Sequence, residues 1–347
     1  MSASRPRRSP TRATPTRVTI VDVALAADVS VSTVSKVIND RYGVSPETYD
    51  KVMDVVVQLG YESSLVASSL RRQSTNVLGI LVPEFEPFST ELLKGISSAA
   101  EGTGYELLAY SGNLEHNHVG WERRSLSRLA GTLIDGAVIV APTAVVTNAT
   151  IPVVAIDPHT GNSGASTIEA DNVAGAREAT QHLIDLGHRR IAHVRGRVDL
   201  ASASRREQGY REALEAAGIP FDSALVRVGG YRASETTQAA RELLERPDRP
   251  TAVFAANDLS AIRVMEVANE LGLSVPDDLS VVGFDNVPEA ANASPPLTTS
   301  AQPLHQMGAE AVRLLLALLD GNGTEEHLIL PTRLVMRSST APYRPPA

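Results

Sequence analysis

Apolar positions near the start of the chain recur with helical spacing. Ile20, Val23, Ala24 and Ala27 fall at i, i+3, i+4 and i+7, and Val34, Val37 and Ile38 repeat the pattern, which predicts two short amphipathic helices. Neither is long enough to be stable alone, so both must pack against a neighbour. Ser45-Pro46-Glu47 announces a third helix, with an N-cap hydroxyl, a proline at the first helical position and an acid in the first turn. Val52, Val55, Val56 and Leu59 give that helix its apolar face. Two helices joined by a tight turn, with a third behind, is the helix-turn-helix plan, whose second helix enters the DNA major groove. Its outward residues here are Val31, Ser32, Ser35, Lys36 and Asn39. A three-helix cap on an ordinary domain has the same spacing, so periodicity alone leaves both readings open.

From Asn76 onward, apolar runs alternate with helical stretches. Residues 77–82, 105–110, 137–140 and 153–156 read as buried strands, with helices near 91–101 and 121–130 between them. A second set follows, with helices over 173–186, 206–217 and 235–244 and strands at 191–194, 225–228, 252–255 and 281–284. Two successive βαβ sets predict parallel sheets covered on both faces, in two lobes with a cleft between them. Residues 304–319 form one more apolar helix, and 328–330 and 334–336 are short strands.

The chain has 347 residues, enough for two or three units with ample cores. It has no cysteine, which excludes a disulfide framework and thiolate metal sites and suits a reducing cytoplasm. Residues 1–17 mix arginines with prolines, serines and threonines, without the apolar run of a secretion signal, and read as a disordered basic arm. No stretch is long and apolar enough to span a membrane. Formal charge is −8 overall, yet residues 1–72 carry ten Lys/Arg against seven Asp/Glu, a balance of +3 that leaves −11 for the remainder. The basic end is where DNA would be met.

The wording of the first helices is more specific than their spacing. T-I-x-D-V-A from Thr19, A-x-V-S-x-S-T-V-S-K-V-I-N from Ala27, V-S-P-E-T from Val44 and L-G-Y from Leu59 closely resemble the DNA-binding headpiece of the lactose/galactose repressor family. G-H-R-R-I-A (187–192), A-V-F-A-A-N-D (252–258), V-P-D-D-L-S-V-V-G-F-D-N (275–286), L-T-T (297–299) and R-L-V-M-R-S-S-T (333–340) resemble the same family's effector-binding core. The likeness covers almost everything beyond residue 17. It implies an α/β protein with a three-helix headpiece at 18–61, a hinge helix and linker at 62–75, and a two-lobed periplasmic-binding-protein-like core with parallel sheets at 76–340. Lobe 1 would take about 76–172 and 304–331, lobe 2 about 173–303 and 332–340, with 341–347 a tail.

The resemblance also implies partners: double-stranded operator DNA with a pseudo-palindromic sequence, a second copy of the chain in a homodimer, and a small-molecule effector. Thr19, Val31, Ser32, Thr33, Ser35, Lys36 and Asn39 would meet DNA, with Val31, Ser32 and Lys36 as base readers. Leu70 matches the hinge leucine that relatives wedge into the minor groove, beside Arg71. Ser63 and Ser68 depart from the usual hinge wording. After Arg337 there is no leucine-heptad helix of the kind that pairs dimers into tetramers.

Ligands of parallel α/β sheets lie outside the carboxyl ends of strands. Phe88, Asp157, Asp171, Asn257 and Asp285 fall there, and the resemblance adds Ser202, Arg206 and Tyr231. Carboxylates, an amide and a guanidinium can hold vicinal hydroxyls, and the two aromatic rings offer flat faces to a sugar. Each polar residue has a structural alternative: Arg206 pairing an acid, Asp285 capping a turn, Asp157 and Asp171 ordering loops. Purine-responsive members carry an arginine where Leu200 stands, which argues against a purine.

A transporter's solute-binding protein would share the lobes but lack the headpiece. A sugar-modifying enzyme would need a nucleophile, metal or cofactor site, and the chain has no G-x-G-x-x-G after a strand, P-loop, G-x-S-x-G or H-E-x-x-H. His116 and His118, beside Glu115, read as a solvated turn rather than a metal site.

Overall fold

A computed structural model describes residues 18–38, 43–61, 74–112, 120–144, 149–159, 165–231 and 233–345. The chain divides after Gln73 into two units.

The first unit holds α1 (Ile20–Ala26), α2 (Val31–Ile38) and α3 (Pro46–Leu59). Each start is capped by a side chain, as short helices require. Thr19 and Asp22 form a reciprocal capping box on α1. Ser30 Oγ accepts from the Thr33 amide at 3.1 Å, and Ser45 Oγ from the Thr48 amide at 3.3 Å. Gly60 ends α3 at φ +60°, the left-handed conformation glycine adopts without strain. Val23, Ala24, Ala27, Val34, Val37 and Val52 form the buried core. Leu59, expected on the apolar face of α3, is 37% exposed and takes no part in that core.

The second unit contains two six-stranded sheets. The first sheet runs β1 (Val77–Val82), β2 (Glu106–Ser111), β3 (Gly136–Val140), β4 (Val153–Ile156), β5 (Ser166–Ala170) and, from near the C-terminus, β11 (His327–Leu330). Its spatial order is β11-β5-β4-β3-β1-β2, all parallel. The second sheet comprises β6 (Ile191–Arg195), β7 (Val226–Val228), β8 (Ala252–Ala255), β9 (Ser280–Asp285), β10 (Thr298–Ala301) and β12 (Arg333–Val335). Its order is β12-β10-β9-β8-β6-β7, with only β12 antiparallel.

Helices α4 (Pro87–Ala100), α5 (Trp121–Leu129) and α11 (Leu304–Leu319) cover the first sheet. Helices α6 (Asn172–Asp185), α7 (Ala201–Ala216), α8 (Ala233–Leu244), α9 (Asp258–Glu270) and the short α10 (Pro288–Asn292) belong to the second. The chain passes between the sheets three times: after β5, after β10 and after β11. It stays packed on the second sheet as far as Tyr343, whose amide donates to the Leu186 carbonyl at 2.8 Å.

Four elements, β5, β10, α9 and the short α10, have no counterpart in the hydrophobic pattern. β5 (S-T-I-E-A) and β10 (T-T-S-A) are fully buried although mostly polar. Several of their hydroxyls find partners distant in sequence: Ser166 Oγ accepts from the Glu326 amide at 3.1 Å, and Thr299 Oγ1 donates to Asp258 Oδ1 at 2.5 Å, whereas Ser300 Oγ is buried without a partner among the described residues. Helix α9 buries Ala261, Val264, Met265, Val267 and Ala268. Helix α7 also begins five residues before the expected Arg206, which puts Ser202 and Arg206 one helical turn apart on the same face.

Candidate effector cleft and nucleic-acid interface

In the second unit a cleft lies at the carboxyl ends of the strands, with walls from both lobes. Phe88, Asp157, Ser202, Arg206, Tyr231, Asn257 and Asp285, seven of the eight residues expected at the effector site, line it. Phe88 lies in the first turn of α4, Asp157 directly follows β4, Asn257 caps α9, and Asp285 ends β9.

Asp171 does not line the cleft. Its carboxylate is the N-cap of α6 and accepts from the Ala174 amide at 2.9 Å, so the local demand for a helix cap fixes it elsewhere.

Arg206 is 4% exposed and anchored from several sides. Its Nε donates to Asn172 Oδ1 at 2.8 Å, Nη1 donates to the Ala256 carbonyl and lies 3.5 Å from Asp285 Oδ1, and the guanidinium sits 3.9 Å over the Phe284 ring. Asp285 Oδ1 also accepts from Gln302 Nε2 at 2.7 Å. Burial pushes the Asp285 carboxyl up to about 6; Arg206 and Gln302 pull it down, and Asp157 pushes it up. Glu86 is pushed up to about 7 by burial first, then by Asp285 and Glu84. Asp258 behind the cleft is held well above the usual carboxylate range, mainly by burial, and accepts from Thr299 Oγ1 and the Val287 amide.

The backbone around the cleft is strained. Of the seven non-glycine residues with positive φ among the described residues, Ala141 (+49°), Asp157 (+51°), Tyr231 (+65°) and Asp285 (+114°) line it. Such conformations cost free energy and cluster where side chains must be aimed at a ligand. Tyr231 reaches the cleft over Gly196, where any Cβ would overlap its ring. Burial pushes the Tyr231 hydroxyl up to about 12, so it remains a neutral donor.

Sequence reasoning missed Glu86, Ser89, Trp121, Thr143, His159 and Arg197, all of which line the cleft. Glu86, His159 and Arg197 lie a few residues past β1, β4 and β6, so the strand-end rule reaches them once loops are included. Leu200 also lines the cleft. Ser89 Oγ, Trp121 Nε1 and His159 Nδ1 are buried with no hydrogen-bond partner among the described residues. Burial lowers the His159 pKa and favours its neutral form. No group of three or more His, Cys, Asp or Glu residues could hold a metal ion, and no helix is long and apolar enough to cross a membrane, among the described residues.

In the first unit α2 presents its outer face to solvent. Val31 is 40% exposed, Ser32 and Lys36 are exposed, and Thr33 and Ser35 are half-buried. Ser32 Oγ and Thr33 Oγ1 lie 2.7 and 2.9 Å from Ser30 Oγ, a hydroxyl cluster at the helix N-terminus. The Thr19 hydroxyl serves the capping box, donating to Asp22 Oδ2 at 2.7 Å. Asn39, Leu70 and Arg71, the rest of the residues expected on DNA, lie outside the described residues, as do His116, His118 and most of the expected hinge.

Two family models match the chain: bacterial regulatory proteins, lacI family, over residues 19–64, and periplasmic binding protein-like domain over residues 180–340. The chain is 34% identical to the HTH-type transcriptional regulator DegA of Bacillus subtilis, across 94% of this chain and 99% of that protein. It is 36% identical to the HTH-type transcriptional regulator CelR of Thermobifida fusca, across 93% and 98%. Among solved structures, a complex of the transcriptional regulator CelR with cellobiose superposes with a TM-score of 0.69 at 35% identity, covering 93% of this chain and 100% of that one. The lac repressor dimer bound to operator and the anti-inducer ONPF gives 0.79 at 28% identity, covering 94% and 99%. The chain belongs to the lacI family of bacterial regulatory proteins and is a DNA-binding transcriptional regulator.

Proposed function

We propose that the protein is a cytoplasmic, sugar-responsive repressor that binds a pseudo-palindromic operator as a homodimer. The observation that carries the effector half is the cleft itself, which Arg206, Asn257 and Asp285 line with donors and acceptors together with the aromatic residues Phe88 and Tyr231. Such a set suits vicinal hydroxyls, and relatives whose solved structures hold cellobiose or ribose support it. On the DNA side, Val31, Ser32 and Lys36 on the outer face of α2 read base edges, while Thr19, Thr33 and Ser35 position the headpiece on phosphates. Asn39, Leu70 and Arg71 complete the interface, Leu70 as a minor-groove wedge. Headpiece, hinge and core divide at about residues 61 and 75, and two-fold symmetry of the dimer matches two half-sites. The effector binds the two arrangements of the lobes with different affinity, and that difference is the energy of the switch.

Selection of bound DNA from a random pool, followed by anisotropy titration of the selected site with a panel of sugars, tests this reading. A palindrome whose affinity one sugar changes supports both halves. Salt-sensitive binding to any DNA with no enriched sequence, with or without pooled metabolites, would refute the operator half.

A further inference from the structure

A buried carboxylate in the lobe 1 sheet takes its counter-ion from lobe 2. Glu169 stands in β5, 6% exposed, and Nη1 of Arg205 in α7 donates to its Oε2. A carboxylate that far out of water is costly without a partner, so the pair ties α7 to the lobe 1 sheet. The next residue of α7 makes a second tie. Arg206 Nε donates to Asn172 Oδ1 at 2.8 Å, and Asn172 Nδ2 donates onward to the carbonyl of Ala170, the last residue of β5, at 3.0 Å. Asn172 is the first residue of α6, on the lobe 2 side of the first crossing, and is 2% exposed. Two adjacent arginines of one helix therefore clasp the crossing between β5 and α6, Arg205 directly and Arg206 through an amide whose donor and acceptor are both used.

The same helix carries part of the effector wall. Ser202 and Arg206 line the cleft, whereas Glu169, Asn172 and Arg205 are not among its lining residues. Contacts within one lobe would steady that lobe alone. These join β5 of one lobe to α7 of the other, so rotation of the lobes about the crossings changes them. A ligand that holds Arg206 thus acts on a side chain already linked to the far side of the crossing.

We propose that Glu169, Asn172 and Arg205 are positioning residues of the switch: they touch no effector, and they convert occupancy of the cleft at Arg206 into an arrangement of the lobes and so into a change in operator affinity. The inference rests on the sugar-responsive repressor reading above and deepens it. The clasp supplies part of the difference between the two lobe arrangements, which is what gives an effector its influence over DNA.

Trp121 lines the cleft and is the single tryptophan of the chain, so its fluorescence follows sugar binding while anisotropy follows the operator. The probes are the DNA site recovered from the random pool and the sugars of the panel, used with the full chain. Removing one partner of the ion pair would strand the other, so both are replaced in a Glu169→Met, Arg205→Met double variant. The expected result is that the double variant still binds the sugar, while the sugar's effect on operator affinity becomes at least about threefold smaller than in the unaltered chain. Reciprocally, the sugar affinities measured with and without operator converge by the same factor, which a merely structural role would not produce. Arg205→Lys keeps the pair and restores the response. Asn172→Asp still accepts from Arg206 but cannot donate to the Ala170 carbonyl, and it weakens the response in the same direction. An unchanged response in both the double variant and Asn172→Asp overturns the proposal and leaves the sugar reading intact. Loss of sugar binding in the double variant overturns it as well, since these residues would then serve the site rather than the switch. Arg205→Lys that responds no better than the double variant overturns the part played by the ion pair. Silence of the unaltered chain toward every sugar overturns the sugar reading, and this inference falls with it.

Discussion

Arg206 Nη1 stands 3.5 Å from Asp285 Oδ1 with both side chains buried, while the shorter hydrogen bonds of Arg206 go to Asn172 and the Ala256 carbonyl. The guanidinium is thus fixed by its own lobe, and Asp285 is held by Gln302. Asp285 Oδ2 has no partner among the described residues, which leaves it available to a ligand hydroxyl.

Truncating Arg206 leaves Asp285 as a buried carboxylate without its cation. Removal of one partner of a buried pair typically costs about 3–5 kcal/mol. Arg206→Ala is expected to lower the urea midpoint of the core by a corresponding amount and to abolish the ligand-induced change in Trp121 fluorescence. An unchanged midpoint would mean that the pair contributes nothing to folding.

Glu86 makes the core's stability depend on pH in a defined direction. Its folded pKa of about 7 lies above the ordinary 4.5, so the folded chain binds this proton more tightly than the unfolded chain. The resulting stability is fully present below about 4.5 and is lost as pH rises through about 7. Glu86→Gln should therefore raise the melting temperature of the ligand-free protein at pH well above 7 and change it little near pH 4.5. Melting curves of both proteins across that range check the sign.

His193 lies fully buried between the rings of Tyr210 and Phe254, with centroids 5.2 and 4.9 Å away, and its Nδ1–H donates to the Phe254 carbonyl at 2.9 Å. Burial pushes its pKa down to about 4, so the ring stays neutral while ordinary histidines charge near 6.5. This depressed histidine contributes stability that is present above 6.5 and lost as pH falls through about 4. Nitrogen chemical shifts should show a neutral ring throughout that interval; titration near 6.5 would contradict the packing.

Helices α4 and α11 cross closely because Gly95 has no side chain: a Cβ there would overlap the His305 carbonyl. The obstacle is backbone, which cannot rotate away. Gly95→Ala is expected to cost about 1–3 kcal/mol or more through overpacking, read as a lower melting temperature for lobe 1, whereas alanine at the exposed turn glycine Gly131 costs only its φ strain.

The headpiece residues separate by what they touch. Val31→Ala and Lys36→Ala should each relax preference at one operator position, by about 1–3 kcal/mol, as expected of side chains that meet base edges. A lysine that meets only phosphate behaves differently: its removal weakens binding to every sequence alike and reduces the salt slope by about 1. Binding selections and salt titrations with each variant distinguish the two, and uniform weakening in Lys36→Ala would remove Lys36 from the base readers.

Local chemistry was enough for the headpiece. Ser45-Pro46 caps α3 and the i, i+3, i+4 pattern buries Val23, Val34 and Val37, because caps and periodicity act over one or two helical turns and can be read from adjacent residues. The alternation of apolar runs also predicts two lobes with parallel sheets, and the strand-end rule predicts Asp157, Asn257 and Asp285. The cap that Asp171 places on α6 is local, whereas tertiary structure alone decided that Trp121, at the start of a helix, faces the cleft. It also made buried strands of S-T-I-E-A and T-T-S-A. In both cases the deciding partners are far away in sequence: Glu326 and His327 for Ser166 and Thr167, Asp258 for Thr299, and two lobes joined by three crossings for the cleft. Most buried polar side chains depend on distant partners, and no local pattern encodes where those partners lie.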